Sequence, residues 1–373
     1  MRRAFLTWGA LITAAGCGNT KLQRTLPPNV HVDTYSQQAA SAVDVLWVVD
    51  NSGSMEPHQQ NVAQNFASFI KIFTRGSIDY RIAVTTTDIF HDQGKFVGTP
   101  AIISPQTPDV IGSFESNISV GVNGSANSEG LEAAMLAVSR QQQANANTES
   151  NIATCQASCP SGASACQQAC LTQFPVEFLR PGAYVYFVFV QDDDDSGSLD
   201  VRYVYRALAD AQGIGNDGTV SGAAITGIQP AESCASAALA PRYIDVATLL
   251  NGQVGDICDA SFADTLHRLS TDAIGLKRKF ALSTLPNVQT LTVSLKYPCN
   301  TTADVLAPCA ATDDSGCQGE PDTFQGLVCT PVQGGPDGWS YESDNNLIFF
   351  AGNSVPDLNA EIDIEYYLQG TSP

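Results

Sequence analysis

Two segments constrain this chain more than any other. Residues 43–49, centred on Val45-Leu46-Trp47-Val48-Val49, and residues 183–190, Ala-Tyr-Val-Tyr-Phe-Val-Phe-Val, are almost wholly apolar, and acidic residues follow both. A strand with one wet face alternates polar and apolar residues. A run without alternation is buried on both faces, as in a parallel sheet covered by helices on each side. The intervening segments fit. Residues 59–73 place Val62, Phe66, Phe69, Ile70 and Phe73 at helical spacing, and residues 127–142 do the same with Leu131, Ala134, Met135 and Val138. Residues 199–211 and 261–276 also read as helices, and residues 80–87, 95–104 and 220–228 as strands. Alternating strands and helices predict an α/β fold with a doubly wound, mostly parallel sheet.

The pattern changes elsewhere. Residues 18–42 are polar, contain Pro27-Pro28 and read as a tether. Residues 144–181, rich in Gln and Asn and then in Cys, interrupt the α/β rhythm of residues 43–278 as an insertion. From residue 279 to 373 the helical spacing ends and a period of two takes over, clearest in Val288-Gln289-Thr290-Leu291-Thr292-Val293-Ser294-Leu295. The expectation there is a small β-rich C-terminal domain.

The first residues set the compartment. Met1-Arg2-Arg3, a short apolar stretch over 4–15 and small residues before Cys17 describe a secretory signal. Ala14-Ala15-Gly16-Cys17 resembles a bacterial lipobox, although Ala14 stands where Leu is usual. The resemblance implies a signal peptide over 1–17, lipidation of Cys17 and a membrane-anchored envelope lipoprotein. Cleavage near Ala15 would instead release a periplasmic or secreted protein.

Of 11 Cys, ten remain once Cys17 is set aside, and an even number in an exported chain reads as disulfides. Zinc is the competing use of closely spaced Cys. The spacing of Cys155 with Cys159 and of Cys166 with Cys170 puts each pair on one helical face, so a helical hairpin would be stapled by nested Cys155–Cys170 and Cys159–Cys166 bridges. Lys and Arg number 18 against 38 Asp and Glu, a net charge of −20, which argues against nucleic acid as a partner.

The strongest chemical signal is Asp50-Asn51-Ser52-Gly53-Ser54, directly after the first apolar run. Open α/β sheets bind ligands beyond the carboxyl ends of their strands. In an extended loop, Asp50, Ser52 and Ser54 point to one side, and their oxygens suit a hard cation. Gly53 reads as the residue that permits a tight turn between the two serines. The pattern resembles the D-x-S-x-S motif of the von Willebrand factor type A family, its metal-ion-dependent adhesion site. The resemblance covers about residues 43–276 and implies a Rossmann-like doubly wound sheet that binds Mg²⁺, or Mn²⁺ or Ca²⁺.

The family completes its site with a Thr before a helix and an Asp after a later strand. Aligned on Ser128-Glu129-Gly130-Leu131, the Thr position falls on Asn127, a departure. Its amide oxygen can coordinate, or Ser125 or Ser128 can take its place, or these residues only cap the helix. The Asp position falls on Asp192. Asp88, Ser128, Asp194 and Asp195 are candidates for supporting contacts or a second cation, the bland reading of the Asp run being a solvated acidic loop.

The sequence carries no nucleophile elbow, zinc-protease motif or phosphate loop, and its four His are scattered, so an enzyme is not expected. The resemblance implies a cation-dependent adhesion or protein-binding module on the bacterial envelope, the metal engaging a carboxylate of a protein ligand. The alternative is an envelope scaffold whose metal only stabilises the loop, with a metal-dependent hydrolase a distant third.

Overall fold

In a computed structural model of the chain, the described residues are 29–215, 217–229, 236–298, 326–335, 338–358 and 360–371. The signal peptide with Cys17 lies outside them, as do Cys234, Cys299, Cys309 and Cys317.

The chain opens with strand β1 (Val30–Ser36) and then builds a six-stranded sheet from β2 (Ala42–Val49), β3 (Asp79–Thr86), β4 (Ile102–Ile103), β5 (Tyr184–Val190), β6 (Val220–Thr226) and β7 (Asn251–Asp256). The order is β4-β3-β2-β5-β6-β7, with only β4 antiparallel to its neighbour. Helices α1 (Glu56–Arg75), α2 (Val110–Ile118) and α7 (Ala263–Ala273) cover one face; α3 (Gly130–Ala157), α5 (Val201–Ala209) and α6 (Pro241–Leu249) cover the other. The apolar run of β2 divides accordingly. Val43, Val45, Trp47 and Val49 pack towards α1, while Leu46 and Val48 pack towards α3. The doubly wound, mostly parallel sheet expected from the sequence is therefore the one observed.

Beside elements the sequence did not reveal, such as α2 (Val110–Ile118) and α6 (Pro241–Leu249), three segments take a form other than the one read. The strand read at 95–104 shrinks to Ile102–Ile103. Gly98, at φ +91°, and Pro100 interrupt the extended run ahead of it. Helix α3 does not stop near residue 142 but continues through the inserted segment to Ala157. Residues 144–157 contain no Gly or Pro to end it and no apolar stripe to reveal it. With α4 (Ser164–Gln173), this extension forms a hairpin closed by Cys155–Cys170 and Cys159–Cys166, the nested pairing the spacing suggested. Cys258 and Cys329 are also disulfide-bonded.

The third difference is β1, which lies inside the stretch read as a tether. It pairs antiparallel with β13 (Glu361–Tyr367), from Val30 opposite Tyr367 to Ser36 opposite Glu361. The C-terminal region consists of two small antiparallel sheets. One has the order β1-β13-β9-β10 and the other β11-β12-β8, with β8 (Lys279–Ala281), β9 (Thr292–Pro298), β10 (Gly326–Cys329), β11 (Trp339–Glu342) and β12 (Leu347–Phe350). The α/β body is thus inserted between the first and second strands of a β unit. Its entry and exit are laced together. Gln37 donates through its side chain to the carbonyls of Lys277 (2.9 Å) and Pro356 (2.8 Å), and the Ala40 amide donates to Ile274 (2.8 Å). Among the described residues, no helix is long and apolar enough to cross a membrane.

Candidate metal centre

The sheet's connectivity locates the site. Strand β2 lies between β3 and β5, with Val49 opposite both Thr86 and Val190. The chain leaves β2 for α1 on one face and β5 for α5 on the other, so a crevice opens at the carboxyl edge between these two strands. Asp50 follows β2 immediately, Thr87 follows β3, and Asp192 lies just past β5.

Asp50 has no exposed surface. Its Oδ1 accepts from the Ser52 amide at 2.7 Å and from the Thr87 hydroxyl at 3.3 Å, and its Oδ2 accepts from the Ser52 hydroxyl at 3.0 Å. The Ser128 hydroxyl bonds the same carboxylate. Ser54 Oγ stands 3.5 Å from Ser52 Oγ and bonds the Asp192 side chain. Asp192 is 2% exposed, and its Oδ1 is buried without a donor. The structure thus brings Asp50, Ser52, Ser54, Ser128 and Asp192 together, with Thr87 as a further contact. Register carries Thr87 there, since the residue after Thr86 must flank the residue after Val49.

Asn127 is exposed, and its amide donates to Ser125 Oγ at 3.0 Å. Ser128, one residue on, is 3% exposed and faces Asp50. The two other acidic candidates in the Asp run hold helices in place. Asp195 Oδ2 accepts from the Leu131 amide (3.0 Å) and the Tyr243 hydroxyl (3.1 Å), and its Oδ1 pairs with Arg242 at 3.3 Å. Asp194 accepts the Arg242 amide at 2.9 Å. Asp88 closes its own turn, accepting from the amides of Phe90 and His91, each at 3.0 Å, and contacting the His91 ring at 2.7 Å.

The loop is firmly anchored. Met55 is fully buried in the core, Gln59 donates to the Asp50 carbonyl at 2.9 Å, and Gly124 donates to the Asn51 carbonyl at 2.8 Å. Gly53 differs from its reading as a tight-turn residue, because a Cβ there would meet nothing. At Gly124, by contrast, a Cβ would fall 2.1 Å from Asn51 Oδ1, so the Asn51 side chain would have to shift to admit one.

Electrostatics define what the crevice lacks. Burial pushes the Asp192 carboxyl up to about 6, the charges of Asp50 and Asp193 add to this, and the Ser54 hydroxyl opposes it. Burial also raises Asp50, against the hydrogen bonds from Ser52, Ser128 and Thr87. Among the described residues, no Lys, Arg or His forms an ion pair with either carboxylate. Two buried like charges on neighbouring strand ends disfavour each other's ionised form unless something neutralises them. Among the described residues no three His, Cys, Asp or Glu converge as a metal cluster. The donor set here is instead two carboxylates with serine hydroxyls, oxygen ligands that fit a hard divalent ion.

No family model and no curated protein matches the chain. Solved structures give remote likenesses to adhesion domains of the von Willebrand factor type A fold. The pilus adhesin SpaC from Lactobacillus rhamnosus GG, in its open conformation, is 12% identical over 94% of this chain and 43% of that one, with a TM-score of 0.38. The proximal thread matrix protein 1 of the mussel byssus, with a zinc-occupied MIDAS motif, is 9% identical over 67% of this chain and 51% of that one, TM-score 0.35. The ArnB paralog VWA2 from Sulfolobus acidocaldarius is 10% identical over 92% and 68%, TM-score 0.31. The chain spans about half the length of the adhesin and the byssus protein.

Proposed function

We propose that the carboxyl-edge loops hold one divalent cation, Mg²⁺ or a Mn²⁺ or Ca²⁺ equivalent, and through it bind a carboxylate of a protein ligand at the bacterial surface. Asp50, Ser52, Ser54, Ser128 and Asp192 are the residues that would hold the ion. The observation that carries this reading is the Asp50–Asp192 pair, buried without a counter-ion and fringed by the hydroxyls of Ser52, Ser54 and Ser128, of which Ser54 lies exposed at the surface. When bound, the cation would supply the positive charge by which so acidic a chain attracts an acidic group. The protein's own part is to hold its donors rigid and to keep water off Asp50. An envelope setting is supported by the nested disulfides, which persist in oxidising compartments.

Calorimetric titration with Mn²⁺ tests the site. Asp50→Ala loses binding, Ser128→Ala weakens it roughly tenfold, and Asn127→Ala leaves it unchanged. Equal affinity in wild type and Asp50→Ala overturns the proposal. A scaffold role, the cation only stiffening the loop, is favoured by the donors Asp50 already has in Ser52, Thr87 and Ser128. Capture of partners that survives EDTA would select that role.

A further inference from the structure

Helix α3 begins without a cap of its own. The first amides of a helix have no intrahelical acceptor, and a side chain just ahead of the helix usually supplies one. Glu129 holds the cap position of α3, and its side chain makes no such bond. Three groups from elsewhere in the fold take over. The Glu129 amide donates to the Thr87 carbonyl just past β3 (3.3 Å), the Gly130 amide to the Tyr243 hydroxyl on α6 (3.1 Å), and the Leu131 amide to Asp195 Oδ2 beyond β5 (3.0 Å). Tyr243 joins two of these ties, because its hydroxyl also donates to Asp195 Oδ2 at 3.1 Å.

The seat is tight. Tyr243 is fully buried, and a Cβ on Gly130 would fall 2.5 Å from its Oη and 2.6 Å from Gln191 Nε2. Asp195 is fixed in turn by Arg242 at 3.3 Å and by the Gly197 amide at 3.0 Å. The consequence falls on the residue directly ahead of the helix. Ser128 carries a hydroxyl that bonds Asp50, and its carbonyl accepts the Ser196 amide at 2.8 Å. Asp192 precedes Asp195 on the same loop. Ser128 and Asp192, from separate loops, are thus held against each other through Asp195 and Tyr243. The bonds of Tyr243 go to Gly130 and Asp195, and to none of the residues assigned to the cation.

We propose that Tyr243 is a positioning residue for the cation site: its hydroxyl fixes the first turn of α3 and, through that turn, sets the Ser128 hydroxyl opposite Asp192. This role rests on the cation site proposed for Asp50 and its neighbours. A neutral hydroxyl contributes to a hard ion only when it is held in place, and groups behind the ligands do that holding. Tyr243→Phe removes the hydroxyl alone. Asp195 keeps the Leu131 amide and Arg242, so no buried carboxylate is left bare.

The test is Mn²⁺ calorimetry on the full chain, comparing wild type, Tyr243→Phe, Ser128→Ala and the double variant. Tyr243→Phe weakens binding, by no more than the roughly tenfold lost in Ser128→Ala. In the Ser128→Ala background it has no further effect, because the group it positions is gone. Gly130→Ala, which displaces the same turn by bulk rather than by a lost bond, follows the same pattern. A tyrosine that only supports the core lowers the melting temperature in EDTA and leaves Mn²⁺ affinity alone; that result overturns the proposal. An equal loss of affinity with and without Ser128 overturns it too. A wild-type chain that fails to bind Mn²⁺ overturns the cation site itself, which separates the two failures.

Discussion

Asp44 interrupts the apolar run of β2 and has no exposed surface. Arg180 meets it across 136 residues of sequence, its amide 2.7 Å from Oδ2 and its Nε 2.8 Å from Oδ1. The same guanidinium bonds Asp79 Oδ2 at 2.6 Å and the carbonyls of Val43 and Asp79. Burial raises the Asp44 carboxyl, and the Arg180 charge and hydrogen bonds do not fully offset it. Arg180→Ala would leave that carboxylate buried and unpaired, and urea unfolding should register a loss of about 3–5 kcal/mol. Lys at this position recovers only part, since it lacks the planar fork. A loss well under ~1 kcal/mol would refute this account. The pair was illegible in the sequence, where nothing ties residue 44 to residue 180. Asp50, Ser52, Ser54 and Asp192 were legible because strand ends fix where side chains emerge. In the third loop, one residue of backbone phase separates Asn127 from Ser128, and spacing alone does not set that phase.

Among the elements, β1 was the least legible. Its seven residues form too short an alternation to stand out, and its partner strand lies at the far end of the chain. The pairing rests partly on Asp33, whose Oδ2 accepts from the Tyr366 hydroxyl at 2.7 Å and the Ser283 amide at 3.0 Å. Burial acts to raise the Asp33 carboxyl, but the bonds from Ser283 and Tyr366, with the charge of His31, together bring it below 3.8. A carboxyl depressed on folding contributes stability that is present above its unfolded value and lost as pH falls through its folded value. Wild type should therefore lose stability below about pH 4, and Asp33→Asn should be less stable at neutral pH with a shallower loss in acid. Thermal unfolding across that range checks it. Parallel curves for the two proteins would remove Asp33 from the account. Strand β7 was missed for another reason. Asn-Gly-Gln-Val-Gly-Asp is an edge strand, half-buried and nearly without apolar residues, so it carries no hydrophobic signature.

At the scale of the molecule, composition separates residues 43–278 from 279–373, but packing does not. Phe66 and Leu269 of the α/β body and Phe280, Leu295, Ile348 and Ile364 of the β unit belong to one continuous hydrophobic core. The lacing of Gln37 and Ala40 onto the exit of the body adds polar ties at the same junction. Because β1 precedes the body and β8 follows it, the β unit closes only when both ends of the inserted body are brought together. Neither part then has a complete apolar surface of its own to bury, and unfolding either exposes the other. The expected outcome is a single calorimetric transition for the full chain under non-reducing conditions, with calorimetric and van't Hoff enthalpies equal. Asp50→Ala should not split that transition, since the cation site lies at the far edge of the sheet from the junction. Two resolved transitions, or a van't Hoff enthalpy well above or below the calorimetric one, would show that the shared core does not couple the parts.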